Sequence, residues 1–138
     1  SLWQAGKVLH NREWQEKALE VLRFSISRRD FRNAGIIDAG LCHGAASVCM
    51  MFHYVYMQTG EKRFEETRDY WLDGTLELGN MEGGLAGYKA WHTAEYGGWV
   101  NEYGLLEGVA GIGTMLLMLL TNDFQQIKWL DFFMLNSL

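Results

Sequence analysis

Gly40-Leu41-Cys42-His43-Gly44-Ala45-Ala46 and Gly104-Leu105-Leu106-Glu107-Gly108-Val109-Ala110 are one motif written twice, 64 positions apart. Each heads a long apolar segment, residues 42–57 in the first case and 107–120 in the second. A helix that is apolar all round is buried on all sides, so both segments are expected as inner helices. Around them lie segments of another kind. Trp14, Ala18, Val21 and Leu22 recur at helical spacing, with Arg12, Glu13, Glu16, Lys17 and Glu20 largely opposite, which predicts an amphipathic helix over 12–27. Phe64, Trp71, Leu72, Thr75 and Leu76 make a second such stripe and predict a helix over 62–78.

The turn into the outer helix repeats as well: Asn11-Arg12-Glu13-Trp14-Gln15-Glu16 aligns with Glu61-Lys62-Arg63-Phe64-Glu65-Glu66. Inner and outer helices alternating with a long period are the mark of stacked helical hairpins. The predicted fold is all-α, an incomplete α/α-toroid or solenoid, with 1–138 as a single unit. Residues 2–9 read as the tail of one more inner helix. Residues 81–103 break the pattern, with Gly83, Gly84, Gly87, Gly97 and Gly98 among Tyr88, Trp91, Tyr96 and Trp99, and are expected to form a long connecting loop. The apolar tail 129–135 reads as a short strand or helix.

Composition agrees with this class. The 138 residues contain no proline, where average usage gives about 7, and proline is the residue helix interiors exclude. A hydrophobic fraction of 49% excludes a disordered chain. A net charge of −5 argues against a nucleic-acid partner. The longest apolar run, 109–120, is too short to span a bilayer. Cys42 and Cys49 lie seven residues apart; on one helix that is about 10.5 Å along the axis, too far for a disulfide. A reducing, cytoplasmic location is expected, with no signal peptide at Ser1.

Cys42-His43-Gly44 is the strongest candidate for chemistry. Thiolate and imidazole are zinc's usual ligands, and a helix N-terminus lowers the pKa of a thiol. Gly40 and Gly44 remove side-chain bulk beside them. The plain alternative is a buried structural cysteine. Zinc needs at least three protein ligands. Cys49 and His53 lie too far along the helix to contribute, and His10 reads as a surface residue at a helix end. His92 either swings in from the aromatic loop or stays a solvated loop histidine. Glu107 takes the place of His43 in the second repeat, as a second-shell or pore-mouth carboxylate or as a helix-start glutamate favoured by the helix dipole. The 91–99 loop touches a peptide substrate or caps the end of the toroid.

The Cys-His-Gly segment at Gly40 to Ala46 resembles that of lanthionine synthetase C-like proteins, the lantibiotic cyclases. The stretch Gly104-Leu105-Leu106-Glu107-Gly108-Val109-Ala110-Gly111-Ile112-Gly113 resembles the last Gly-rich helix start of the same family, and the likeness extends over about residues 2–135. The resemblance implies an α/α-toroid with zinc at the mouth of its central barrel. It makes Cys42 and His43 two of three protein ligands, the third coming from an earlier Trp-Cys-Tyr-Gly-type segment. No such segment occurs here, and the family's acid/base residues also lie upstream. The chain therefore resembles the C-terminal part of a cyclase, expected to be inactive alone. The implied reaction adds a cysteine thiol of a dehydrated precursor peptide to dehydroalanine or dehydrobutyrine, with a dehydratase as a further partner. The alternative within the family is a zinc- and thiol-binding protein, holding glutathione without cyclising anything. Another α/α-toroid enzyme, a glycosidase or epimerase, needs paired carboxylates at the pore, and the buried helices offer only Glu107. Open flanks of an arc of hairpins predict exposed apolar surface and self-association.

Overall fold

A computed structural model describes residues 1–121 of the chain; the tail expected at 129–135 lies outside them. The described residues form six α-helices and one two-stranded sheet: α1 (Leu2–Val8), α2 (Arg12–Ser25), α3 (Phe31–Ala34), α4 (Ala45–Thr59), α5 (Lys62–Glu77), β1 (Ala90–Trp91), β2 (Trp99–Val100) and α6 (Val109–Thr121). The fold is all-α, as predicted. None of the described helices is long and apolar enough to cross a membrane.

The helices pair as hairpins. α1 packs on α2, and α4 packs on α5. Asn11 caps α2, its side-chain oxygen accepting from Trp14 N at 3.1 Å, and α4 ends on Gly60 in the left-handed conformation at φ +68°. Gln4 bonds the Tyr54 hydroxyl, and Lys7 Nζ donates to Gln58 at 2.6 Å, so α1 lies beside α4. α6 lies against α4, burying Met115 and Met118. On the other side, Arg23 at the end of α2 bonds Glu61 at the start of α5 at 2.5 and 3.1 Å. The result is a row of three inner helices, α1, α4 and α6, backed by two outer ones, α2 and α5. Phe52 stacks on Phe64 between α4 and α5, with ring centroids 6.0 Å apart. Trp71 lies 4.8 Å from Phe31 of α3. Burying a side chain such as Phe64, which has no exposed surface, contributes about 2–3 kcal/mol.

Several expectations need correction. The stripe on α2 is rotated: Trp14 and Val21 are exposed, and the buried residue is Leu19. The reason is that α2 meets α1 through Gln15, whose Nε2 donates to Gly6 O at 3.0 Å, and this turns Leu19 rather than Trp14 inward. The inner helices are not buried all round. Met51 and Met57 of α4 are exposed, as are Leu117 and Leu120 of α6, Leu120 at 82%. Apolarity fixes what a face prefers, and neighbouring elements fix what it gets. The loop at 81–103 carries structure of its own: β1 and β2 pair antiparallel, Ala90 with Val100 and Trp91 with Trp99. Helix α3 was not foreseen. Finally, α4 begins at Ala45, so Cys42 lies in the turn before it and not on the same helix as Cys49.

Candidate functional site

The repeated motif folds twice into one turn. Gly44 N donates to Gly40 O at 3.0 Å, and Gly108 N to Gly104 O at 3.1 Å. Ala45 N donates to Asp38 O at 2.9 Å, and Val109 N to Glu102 O at 3.1 Å. Each pair of bonds lies 64 positions apart. The close approach explains one glycine in each turn. A Cβ on Gly44 would sit 2.5 Å from an Asp38 carboxylate oxygen and overlap the Gly40 backbone, and one on Gly108 would overlap Glu102 and Gly104.

The two turns also touch. Cys42 N donates to Leu106 O at 2.7 Å, and Leu106 is the residue that replaces Cys42 in the second turn. The first turn is held from below: Leu41 and Gly44 are buried, while Cys42 and His43 between them are exposed. Cys42 and His43 are thus consecutive, solvent-exposed residues on a hydrogen-bonded turn. Among the described residues no group of three or more His, Cys, Asp or Glu is arranged to hold a metal ion. Cys42 and His43 are two donors of zinc's preferred kind, and a third is not supplied by the described residues.

Asp38 is the buried polar residue of this site, at 2% exposure. One carboxylate oxygen accepts from Gly40 N at 2.9 Å, the other from Trp91 N at 2.8 Å. The first bond braces the Cys-His turn, and the second ties it to β1. The next residue, His92, reaches Glu107: Nε2 lies 3.1 Å from one Glu107 oxygen and 3.9 Å from Glu102. Trp91 and Trp99 pack edge-on, with centroids 5.2 Å apart. The aromatic hairpin therefore sits directly beside the Cys-His turn.

The profile of the family described as Lanthionine synthetase C-like protein matches residues 1–134. The chain belongs to the lanthionine synthetase C-like family. No curated protein sequence matches it.

Within this lanthionine synthetase C-like chain, the other reactive side chains stand apart from the site. Cys49 is fully buried in α4, and burial pushes its thiol up to about 12, which keeps it protonated and inert. His53 is also fully buried; burial, and then the nearby Arg68, lower it to about 4. His10 is exposed just beyond α1. His92 is partly buried, with its Nε2 engaged by Glu107, and among the described residues it does not gather with Cys42 and His43 into a metal-holding group. Sequence reasoning missed Asp38 and the His92–Glu107 pair. The signal for Asp38 was at hand: the 64-residue repeat carries an acidic residue at the same place, Asp38 in one copy and Glu102 in the other.

Proposed function

We propose that this chain carries part of the metal site of a zinc-dependent peptide cyclase, with Cys42 and His43 as two of the protein donors. The observation behind this reading is the exposed Cys42–His43 pair on a braced turn, in a chain of the lanthionine synthetase C-like family. The donor chemistry suits the ion: thiolate and imidazole are soft-to-borderline ligands, both face solvent, and catalytic zinc keeps a position open for substrate. Bound there, zinc supplies a lowered pKa to an incoming thiol, making it a nucleophile at neutral pH. The third protein donor comes from a segment other than the described residues.

The chain's own residues have separate tasks in this reading. Cys42 and His43 would hold the metal, the one as a thiolate and the other as a neutral imidazole, the forms that ligation requires. Leu41, Gly44 and Asp38 hold the turn that presents them. The hairpin of Trp91 and Trp99 is tied to this turn through Asp38. The overall reaction adds the thiol of a peptide cysteine across the double bond of a dehydroalanine or dehydrobutyrine. The sulfur–carbon bond forms at the β-carbon, and a proton is delivered to the α-carbon, so no atom is lost and a thioether ring results. The group that delivers this proton lies outside the described residues.

The test is metal content and thiol consumption in the full-length protein. Wild-type protein should hold about one zinc per chain, and Cys42→Ala and His43→Ala should each lose it. A dehydrated Cys-containing peptide should lose its iodoacetamide-reactive thiol without a mass change. Undiminished zinc in Cys42→Ala defeats the assignment. Zinc and glutathione bound, with the peptide thiol left intact, establishes the thiol-binding role in place of cyclisation.

A further inference from the structure

We propose that Asp38 is a positioning residue that locks the aromatic hairpin onto the Cys42–His43 turn, and that the metal affinity of this turn depends on that lock. The proposal rests on the reading of Cys42 and His43 as zinc donors. Its structural half stands without zinc.

The comparison of the two turns carries the argument. The second turn has the same backbone bonds, yet its carboxylate, Glu102, is partly exposed and directed towards His92 at 3.9 Å. The turn therefore forms without its carboxylate accepting a backbone N–H of the hairpin. In the first turn the carboxylate is buried and bridges two segments remote in sequence, Gly40 at 2.9 Å and Trp91 at 2.8 Å. A buried carboxylate is costly unless satisfied, so it persists where both oxygens have donors.

The contacts close into a circuit around the donor pair. Asp38 takes the N–H of Trp91; His92 follows and meets Glu107 at 3.1 Å. Leu106, beside Glu107, takes the N–H of Cys42 at 2.7 Å. The backbone of Glu107 also passes close to Gly40, where a Cβ would lie 3.3 Å from its carbonyl oxygen. Removing Asp38's second bond opens this circuit at one point and frees the hairpin from the turn. Groups that orient a metal ligand from behind typically change affinity by about 10–100-fold.

Asp38→Asn keeps the shape and replaces one acceptor oxygen with a donor, so it can serve Gly40 or Trp91 but not both. In the full-length protein, amide hydrogen exchange at Trp91 or at Gly40, whichever N–H loses its acceptor, should accelerate at least about tenfold while α4 and α5 keep their protection. Zinc affinity, read by chelator competition well below the unfolding temperature, should fall by about 10–100-fold. Glu102→Gln, in the matching turn, should leave that affinity unchanged. A role confined to stability would lower the unfolding temperature and leave the affinity of the folded protein alone. A second pair covers the case in which Asp38→Asn does not fold. Trp91→Pro removes the N–H that Asp38 accepts, Trp91→Ala keeps it, and the proline variant alone should weaken zinc. Wild-type exchange at both Trp91 and Gly40 together with wild-type affinity in Asp38→Asn, or equal affinities in the two Trp91 variants, overturns the proposal. If the wild-type protein takes up no zinc, the proposed function falls, and the exchange data alone decide whether Asp38 holds the hairpin.

Discussion

Gly44→Ala is the most exposed point of the turn's architecture. The new Cβ would lie 2.5 Å from Asp38 Oδ1 and overlap backbone atoms of Gly40 and Asp38. None of these can step aside freely. Asp38 O is held by Ala45 N at 2.9 Å, and Gly40 O by Gly44 N at 3.0 Å. Relief must break at least one buried hydrogen bond, and leaving a buried group unsatisfied costs about 1–3 kcal/mol. Overpacking strain adds about 1–3 kcal/mol. Against this, alanine restricts the unfolded chain and returns about 0.4–1 kcal/mol. The net loss is about 1–5.5 kcal/mol, a large share of the roughly 5–15 kcal/mol that holds a domain together. At about 4 °C per kcal/mol for a chain of this size, the melting temperature falls by about 4–22 °C. Gly104→Ala is the control, since its Cβ would meet no described atom within 4 Å and its φ is not positive. It should be neutral or stabilise by up to about 1 kcal/mol. Urea unfolding followed by circular dichroism measures both. The reasoning fails if Gly44→Ala is as stable as wild type, or if Gly104→Ala loses as much.

Further outcomes are expected. Iodoacetamide on the native metal-free protein at pH 8 should label Cys42, which is exposed, and spare Cys49, which is buried; peptide mass mapping decides, and labelling of Cys49 at an equal rate would contradict its burial. His53 is lowered to about 4, against about 6.5 when unfolded. Between these values the unfolded chain binds the extra proton, so stability falls as pH drops from 6.5 to about 4, by up to about 3 kcal/mol. Urea midpoints across that range should show the loss, and His53→Leu should flatten it. Glu61 is held below the usual carboxylate range, chiefly by its hydrogen bond to Arg23. Its contribution is present above the ordinary carboxylate pKa and lost as pH falls through the lowered one; Glu61→Gln should cost about 0.5–1 kcal/mol at pH 7 and almost nothing at pH 2. The double replacement Cys42→Leu with His43→Glu writes the second turn into the first. It should change stability by no more than about 0.5 kcal/mol while abolishing zinc uptake.

Much of the fold was legible because helical period and burial are local properties. Phe64, Trp71 and Thr75 fall on one stripe of α5, and all three are buried. The motif at residue 40 announced both the turn and the adjacency of Cys42 to His43. What stayed hidden depends on contacts between distant segments. Trp14 lies on an apolar stripe of α2 and is nonetheless exposed, because the crossing of α1 over α2 at Gly6 and Gln15 sets which side faces the core. Asp38 reads as an ordinary loop acid until β1 brings the Trp91 N–H to it, 53 residues along the chain. Glu107 reads as a helix-start carboxylate until His92 arrives from the hairpin. In each case the side chain's partner is chosen by the path of the backbone elsewhere, and residue type alone does not reveal it.

The doubled turn separates scaffold from chemistry within one molecule. Backbone bonds at Asp38, Gly40 and Gly44 are matched at Glu102, Gly104 and Gly108, so the turn owes its shape to glycines and carbonyls rather than to the two residues it displays. Position 42 carries cysteine in one copy and leucine, at position 106, in the other; position 43 carries histidine and then glutamate, at 107. The displayed pair can therefore change without rebuilding what supports it. In the second copy the displayed glutamate is engaged by His92, and its leucine carbonyl receives the N–H of Cys42. One copy displays a thiol and an imidazole, and the other forms part of the wall beside them, a division of labour that arises when a repeated element is packed against itself.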